Sequence, residues 1–256
     1  VISEQAFIHP EAVIGKDVSI GPFCYVGKGV TLGDGCILES NVVVKGPSTI
    51  GANNHFYQFS SIGEDCQDKK YAGETTQLIM GDNNIVREGV TIHRGTIQDE
   101  GITQIGSNCL LMANVHVAHD CRVGDNVIMA NSASIAGHCH VGDWAILGGM
   151  TGVHQFVHIG AHAFTAGCSL VLQDVPPYVM AAGHAAVPRG INSEGLKRRG
   201  FSKEAISAIK RSYRTVFRSK LVKEEALAKM AEDAATFPEV KSFSDFVENS
   251  SRGLIR

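Results

Sequence analysis

A parallel β-solenoid closed by a small helical domain is the architecture this sequence predicts, and three observations carry the prediction. The first is a six-residue period. Every sixth residue from Ile2 is Ile8, Ile14, Ile20, Val26, Leu32, Leu38, Val44, Ile50, Phe56 and Ile62. The ladder resumes at Met80, Val86 and Ile92, then runs from Ile105 to Val171. Of its 26 positions 22 are Ile, Leu or Val, and Gly follows directly at 12, which average composition does not produce by chance. Such a period fits neither a helix nor a long strand, but it fits short strands joined by corners. The second observation is that the fifth hexad position holds Cys24, Cys36, Cys66, Cys109, Cys121 and Cys139, six of seven cysteines. They read as small inward hydrophobes rather than nucleophiles. The third is that the repeat dissolves near Asp174 and helical spacing replaces it.

In chain order, residues 1–175 form the solenoid, and the glycines tolerate the backbone geometry of its corners. Two pauses, near 63–79 and 97–104, are excursions from the coil, where function often sits. Pro176, Pro177 and Pro188 mark a linker over 176–191. Residues 192–256 follow as a helical domain. Ser202 caps a stripe of Ile206, Ile209, Tyr213, Val216 and Phe217. Ala226, Leu227 and Met230, then Val240, Phe243, Phe246 and Val247, predict two more helices around Pro238.

Composition narrows the function classes. Hydrophobic residues at 44% and charged residues at 19% exclude wholesale disorder. No apolar run reaches 18 residues, and Val1-Ile2-Ser3-Glu4-Gln5 has neither a basic region nor an apolar core. Neither a membrane span nor a secretory signal is expected. Seven cysteines without paired spacing point to reduced thiols in a cytoplasmic protein. The net charge of -3 divides into -8 over residues 1–191 and +5 over 192–256. The basic tail suits an anionic partner, with nucleic acid, phosphorylated ligands and acidic proteins all open on charge alone.

The histidines sharpen this. Hexads whose first residues lie 18 apart stack on successive coils at the usual strand spacing of about 4.8 Å. Those beginning at Val117, Ile135 and Val153 hold His119, His138 and His154, with His116 just before the first. None occupies an inward position, so four imidazoles share one strip of surface. That strip suits either a general base or a zinc site with an open position.

Hexads of the form Ile-Gly-x-x-small-x resemble the left-handed parallel β-helix of the hexapeptide acyltransferases, whose triangular coil takes three hexads. The handedness is implied by that resemblance. Gamma-class carbonic anhydrases are similar in fold and use three His ligands. Local motifs discriminate between them. Ile92-His93-Arg94-Gly95-Thr96, Ala118-His119-Asp120-Cys121, Val153-His154-Gln155-Phe156 and Asn192-Ser193-Glu194-Gly195-Leu196-Lys197-Arg198-Arg199-Gly200-Phe201-Ser202 closely resemble the UDP-N-acetylglucosamine O-acyltransferases of lipid A biosynthesis. The insertion Gln67-Asp68-Lys69-Lys70-Tyr71-Ala72-Gly73-Glu74 and the ending Ser251-Arg252-Gly253-Leu254-Ile255-Arg256 match as well. An N-acyltransferase acting later in the same pathway carries an additional N-terminal domain. Here the hexads begin at Ile2, so the O-acyltransferase is expected.

The resemblance implies transfer of a 3-hydroxyacyl group from acyl carrier protein to the glucosamine 3-hydroxyl of UDP-N-acetylglucosamine. It implies His119 as general base, Asp120 as its orienting carboxylate, and the Gly137 amide as oxyanion donor. Because consecutive strand residues point apart, the His119–Asp120 pairing requires a corner. Asp68, Lys70, His116, His138, His154 and Gln155 are implied around the donor and sugar. Asn192, Glu194, Arg198 and Arg199 are implied at the nucleotide, where Arg suits a pyrophosphate. Gly167 corresponds to the position that closes the acyl groove, and its lack of a side chain implies a long donor, 3-hydroxymyristoyl in length. A homotrimer is implied, with the site between neighbouring β-helices and the basic tail facing the acidic carrier protein. No cofactor, metal or nucleic acid is implied.

Overall fold

The computed structural model describes residues 1–256. Each hexad supplies a strand of mostly two residues, one facing out and one facing in, as in His116–Val117, Arg122–Val123 and Ile128–Met129 on three successive faces. Three strands and their corners close a coil, and the next coil pairs with it in parallel. On the first face His116 pairs with Ser134, Ser134 with Gly152, and Gly152 with Leu170, each step 18 residues. The faces are sheets of nine, eight and ten strands. The inward ladder fills the prism: Val117, Ile135, Leu147 and Val171 are fully buried.

The corners correct one expectation. The glycines after the aliphatic residue were expected to serve backbone geometry, but apart from Gly63, with φ of 72°, the left-handed residue sits two places later. Asn114, Asp120, Asn126, Ser132 and His138 all have φ between 58° and 60°. Asn and Asp tolerate that region because their side chains hydrogen-bond locally. The preceding glycines are needed for close approach. A Cβ on Gly33, for example, would lie 2.5 Å from the Gly51 carbonyl carbon on the next coil.

Inside the edge between the second and third faces, two fifth-position residues are polar. Asn54 and Asn84 are fully buried and form a ladder. The Asn54 amide donates to the Gly51 and Gly81 carbonyls, and its Oδ1 accepts from the Asn84 N–H. Asn84 repeats the pattern with Gly81, Gly106 and the Cys109 N–H.

Both excursions leave the edge between the first and second faces. The Ile62-to-Ile92 pairing spans 30 residues and the Ile92-to-Val117 pairing 25. The bounding strands Ser61–Glu64, Gln77–Met80, Thr91–His93 and Ile102–Ile105 confine the excursions to 65–76 and 94–101, slightly displaced from 63–79 and 97–104.

The stretch 176–191 is not a simple linker. Val179–Gly183 adds in parallel to Phe164–Thr165, and Ala186–Ile191 returns antiparallel to it. Pro188 sits on the outermost strand of that sheet, where a missing N–H is tolerated. Four helices follow: α1 (Ser193–Arg198), α2 (Lys203–Arg218), α3 (Lys223–Thr236) and α4 (Pro238–Asn249). The Ser202 hydroxyl caps α2 by accepting from the Ala205 N–H, and Pro238 opens α4. Helix α1 has no counterpart in the expected set of three. Buried Asp174 fastens the domain to the last coil. Its carboxylate accepts from the His158 N–H at 2.8 Å and the Ser250 hydroxyl at 2.7 Å, while its backbone pairs with Gly253 and Ile255.

Replacing Asn84 by Ala strands the Cys109 N–H and weakens two carbonyl contacts in a dry interior. At about 1–3 kcal/mol for an unsatisfied buried group, Asn84→Ala is expected to lower the denaturant midpoint clearly, whereas a surface Asn→Ala control is expected to be near neutral. Equal midpoints would remove the structural role of the ladder.

Candidate active site

His119 and Asp120 occupy the third and fourth positions of one hexad, at the edge between the first and second faces. The left-handed φ of 58° at Asp120 turns the chain so that consecutive side chains meet. His119 Nδ1 lies 2.7 Å from Asp120 Oδ2. Because a carboxylate only accepts, Nδ1 carries the proton and Nε2 is left bare. Nε2 faces Gly137 on the next coil, where an added Cβ would stand 2.6 Å from it. The Gly137 N–H donates to no other backbone group.

The second excursion completes the surroundings of Asp120. This carboxylate accepts from the Thr96 N–H at 2.7 Å and the Thr96 hydroxyl at 2.6 Å, and the Asp120 N–H donates to Thr103 Oγ1 at 2.8 Å. Burial pushes the Asp120 carboxyl up, but hydrogen bonds from His119 and Thr96 outweigh it and hold the group below the usual value. The carboxylate therefore stays charged beside the imidazole. The first excursion is pinned by buried Arg94, which pairs with Asp65 and donates to the Tyr71 hydroxyl at 3.1 Å.

A groove of about 500 Å³ opens over this edge. Of the expected residues, Asp68, His116, His119, Gly137, His154 and Gln155 line it. His116 lies at 2.7 Å from Thr91 Oγ1. His138 stands just behind, its ring edge-on to His119 with centroids 5.0 Å apart and stacked on Phe156 at 4.4 Å. Lys70 is exposed on the first excursion, its N–H donating to Asp68. Arg252 from the C-terminal strip approaches His154 Nδ1 at 3.3 Å.

Other expected residues do not converge here within one chain. Gly167 lies at the edge between the third and first faces, three residues before the groove residue Leu170. Arg199 packs its guanidinium over the Trp144 ring at 5.2 Å and approaches His162 Nδ1, at the edge between the second and third faces. Neighbouring Arg198 is exposed, and Glu194 pairs with Lys197 at 2.8 Å. Asn192 is buried as the cap of α1, accepting from the Gly195 N–H and donating to the His162 carbonyl. Its side chain is committed to the fold.

Three supports escaped the sequence reading: Thr96, Thr103 and His93, a buried imidazole 5.1 Å from the His116 ring. The spacing of His93 in Ile92-His93-Arg94 held the only signal. The zinc alternative finds no three-imidazole set. The donor atoms that gather within 4.8 Å are those of His119, Asp120 and His138, and both imidazoles are hydrogen-bonded to carboxylates.

Comparison with known proteins adds identity. Residues 174–255 match the family described as UDP N-acetylglucosamine O-acyltransferase, domain 2, and residues 11–46 and 102–137 match the bacterial transferase hexapeptide repeats. An acyl-[acyl-carrier-protein]--UDP-N-acetylglucosamine O-acyltransferase of Aeromonas salmonicida is 63% identical over 217 residues, 85% of this chain and 82% of that protein. The structure of LpxA from Acinetobacter baumannii superposes with a TM-score of 0.98 at 48% identity, covering 100% of this chain and 99% of that one. The UDP-N-acetylglucosamine acyltransferase of Arabidopsis covers 100% of both chains with a TM-score of 0.85 at 37% identity.

Burial, then the neighbouring His116, push His93 down to about 4 from its usual 6.5. A neutral group favoured by the fold supports stability fully above pH 6.5, and that support is lost as pH falls towards 4. His93→Gln is therefore expected to flatten part of the decline in thermal midpoint between pH 6.5 and 4. An unaltered slope would place the decline on other groups, such as His162, which is also pushed to about 4.

Proposed function

The chain belongs to the UDP-N-acetylglucosamine O-acyltransferase family of lipid A biosynthesis, and from that premise we propose how its own residues perform the transfer. The enzyme is an O-acyltransferase that moves an acyl chain from acyl carrier protein to UDP-N-acetylglucosamine. The observation that carries the residue assignment is the His119–Asp120 pair, with the His119 imidazole lying against Gly137 across one coil.

The chemistry follows from that geometry. A sugar hydroxyl is a poor nucleophile, so His119 Nε2 takes the proton of the 3-hydroxyl as its oxygen forms a bond to the thioester carbonyl carbon. Asp120 balances the imidazolium through Nδ1 and keeps the tautomer that leaves Nε2 available. The carbonyl oxygen becomes an oxyanion, and the free Gly137 N–H is placed to donate to it. Collapse breaks the carbon–sulfur bond, and the departing carrier thiolate takes the proton back from His119. The O-acyl sugar nucleotide leaves and the base is restored.

Asp68, Lys70, His116, His138, His154 and Gln155 would bind donor and sugar around the groove. Glu194, Arg198 and Arg199 would hold the nucleotide, with Asn192 positioning α1 beneath them. Their location on a different edge of the prism supports a homotrimer, in which the edge of one chain faces the groove of the next. Sedimentation of the full chain is expected to return three times 27.3 kDa, and a monomer fully active in transfer would overturn this arrangement. No helix is long and apolar enough to cross a membrane. All seven cysteines are free thiols, which supports a cytoplasmic location. Gly167, three residues before the groove residue Leu170, carries no side chain, which supports a donor of 3-hydroxymyristoyl length.

Transfer from a panel of 3-hydroxyacyl carrier proteins to UDP-N-acetylglucosamine tests the whole reading. His119→Ala is expected to lose roughly 10²–10⁴-fold in rate while unfolding as the parent does, and retained rate would exclude His119 as the base. In the same panel Gly167→Met is expected to shift preference towards shorter donors. An unchanged order of donors would separate Gly167 from chain-length choice.

A further inference from the structure

The second excursion carries a carboxylate that the reaction scheme does not use. Asp99 Oδ2 lies 3.0 Å from His138 Nδ1, and His138 Nε2 lies 3.8 Å from Asp120 Oδ2. Two carboxylates and two imidazoles thus alternate in the order Asp99, His138, Asp120, His119. We propose that Asp99 is a positioning residue for the acceptor side of the site, fixing which edge of the His138 imidazole faces Asp120 and the groove.

Phe156 cannot make this choice alone. It stacks on His138 with the planes within 8°. A half-turn of the imidazole about its Cβ–Cγ bond preserves that stack, yet exchanges Nδ1 with Cδ2 and Nε2 with Cε1. Stacking fixes the plane, and a directional partner must fix the flip. Asp99 supplies it. The carboxylate only accepts, so Nδ1 carries the proton and Nε2 is held towards Asp120.

Asp99 is itself oriented. Its Oδ1 accepts from the Glu100 N–H at 2.9 Å, and its own N–H donates to the Thr96 carbonyl at 3.2 Å. Thr96 in turn holds Asp120, so one short turn grips both carboxylate-bound histidines from the same side. His138 is mostly buried, with 12% of its side chain exposed, which keeps water from replacing Asp99 cheaply. The adjacent Glu100–Arg122 pair is far more open to solvent and adds little to the grip.

This inference rests on His138 bordering the acceptor sugar. Asp99→Ala and Asp99→Asn of the full chain are to be compared in two measurements. Loss of a charge-assisted hydrogen bond is expected to raise the KM for UDP-N-acetylglucosamine about tenfold in Asp99→Ala, with the KM for the acyl carrier protein little changed. Asp99→Asn keeps an accepting oxygen and is expected to recover most of the loss. Nitrogen-15 spectra of the ligand-free protein are expected to show the His138 proton on Nδ1, and a mixture of tautomers in Asp99→Ala. An acceptor KM unmoved in Asp99→Ala, an Asn variant as impaired as Ala, or a wild-type proton on Nε2 would each overturn the role of Asp99. A wild-type chain without transfer activity would instead overturn the proposed function, and the spectra would still decide the positioning role.

Discussion

The whole molecule depends on one constraint: every inward aliphatic residue must stack on its counterpart a coil away. Apolar burial and the parallel backbone ladder enforce the same 18-residue register, on all three faces at once. A slip of one residue would turn the buried set outward. The register therefore brings His119 and Gly137, separated by a full coil in sequence, side by side in the lining of one groove. A site on a flat solenoid face is otherwise hard to build, because neighbouring strand residues point apart.

The edge between the first and second faces concentrates everything the register alone could not supply. Its left-handed corner folds Asp120 back onto His119. Both excursions leave there, and the second returns polar groups to the edge: Arg94 braces the first excursion, while Thr96 and Asp99 brace the histidines. The other two edges carry ordinary corners and can spare their outer surfaces for partners, as Trp144 and Arg199 illustrate.

Much of this was readable beforehand because the six-residue period encodes both burial and stacking. The histidine strip followed from arithmetic on that period, whereas the His119–Asp120 pairing was implied by the family resemblance, with a corner as its condition. What escaped has physical causes. Thr96, Thr103 and Asp99 belong to or border an excursion, where no period relates sequence to position. The Val179–Gly183 and Ala186–Ile191 strands were hidden by prolines that an outer strand accommodates. Glycine was credited to dihedral freedom, whereas Gly33 serves the close approach of neighbouring coils. Asn192 carries a role that the binding motif did not signal: its side chain also caps a helix.

Stacking by whole coils also makes length along the prism a discrete quantity. Gly167 lies 48 residues beyond His119, a little under three coils, or about 13 Å of axial rise at the usual strand spacing. No gradual sequence drift can stretch that interval. Only gain or loss of a complete turn would change it without rotating the helical tail out of alignment, and it would do so in increments of about 4.8 Å. Under the role proposed for Gly167, a yardstick built this way is graduated by its own architecture, so finer divisions must come from side chains laid across the mark.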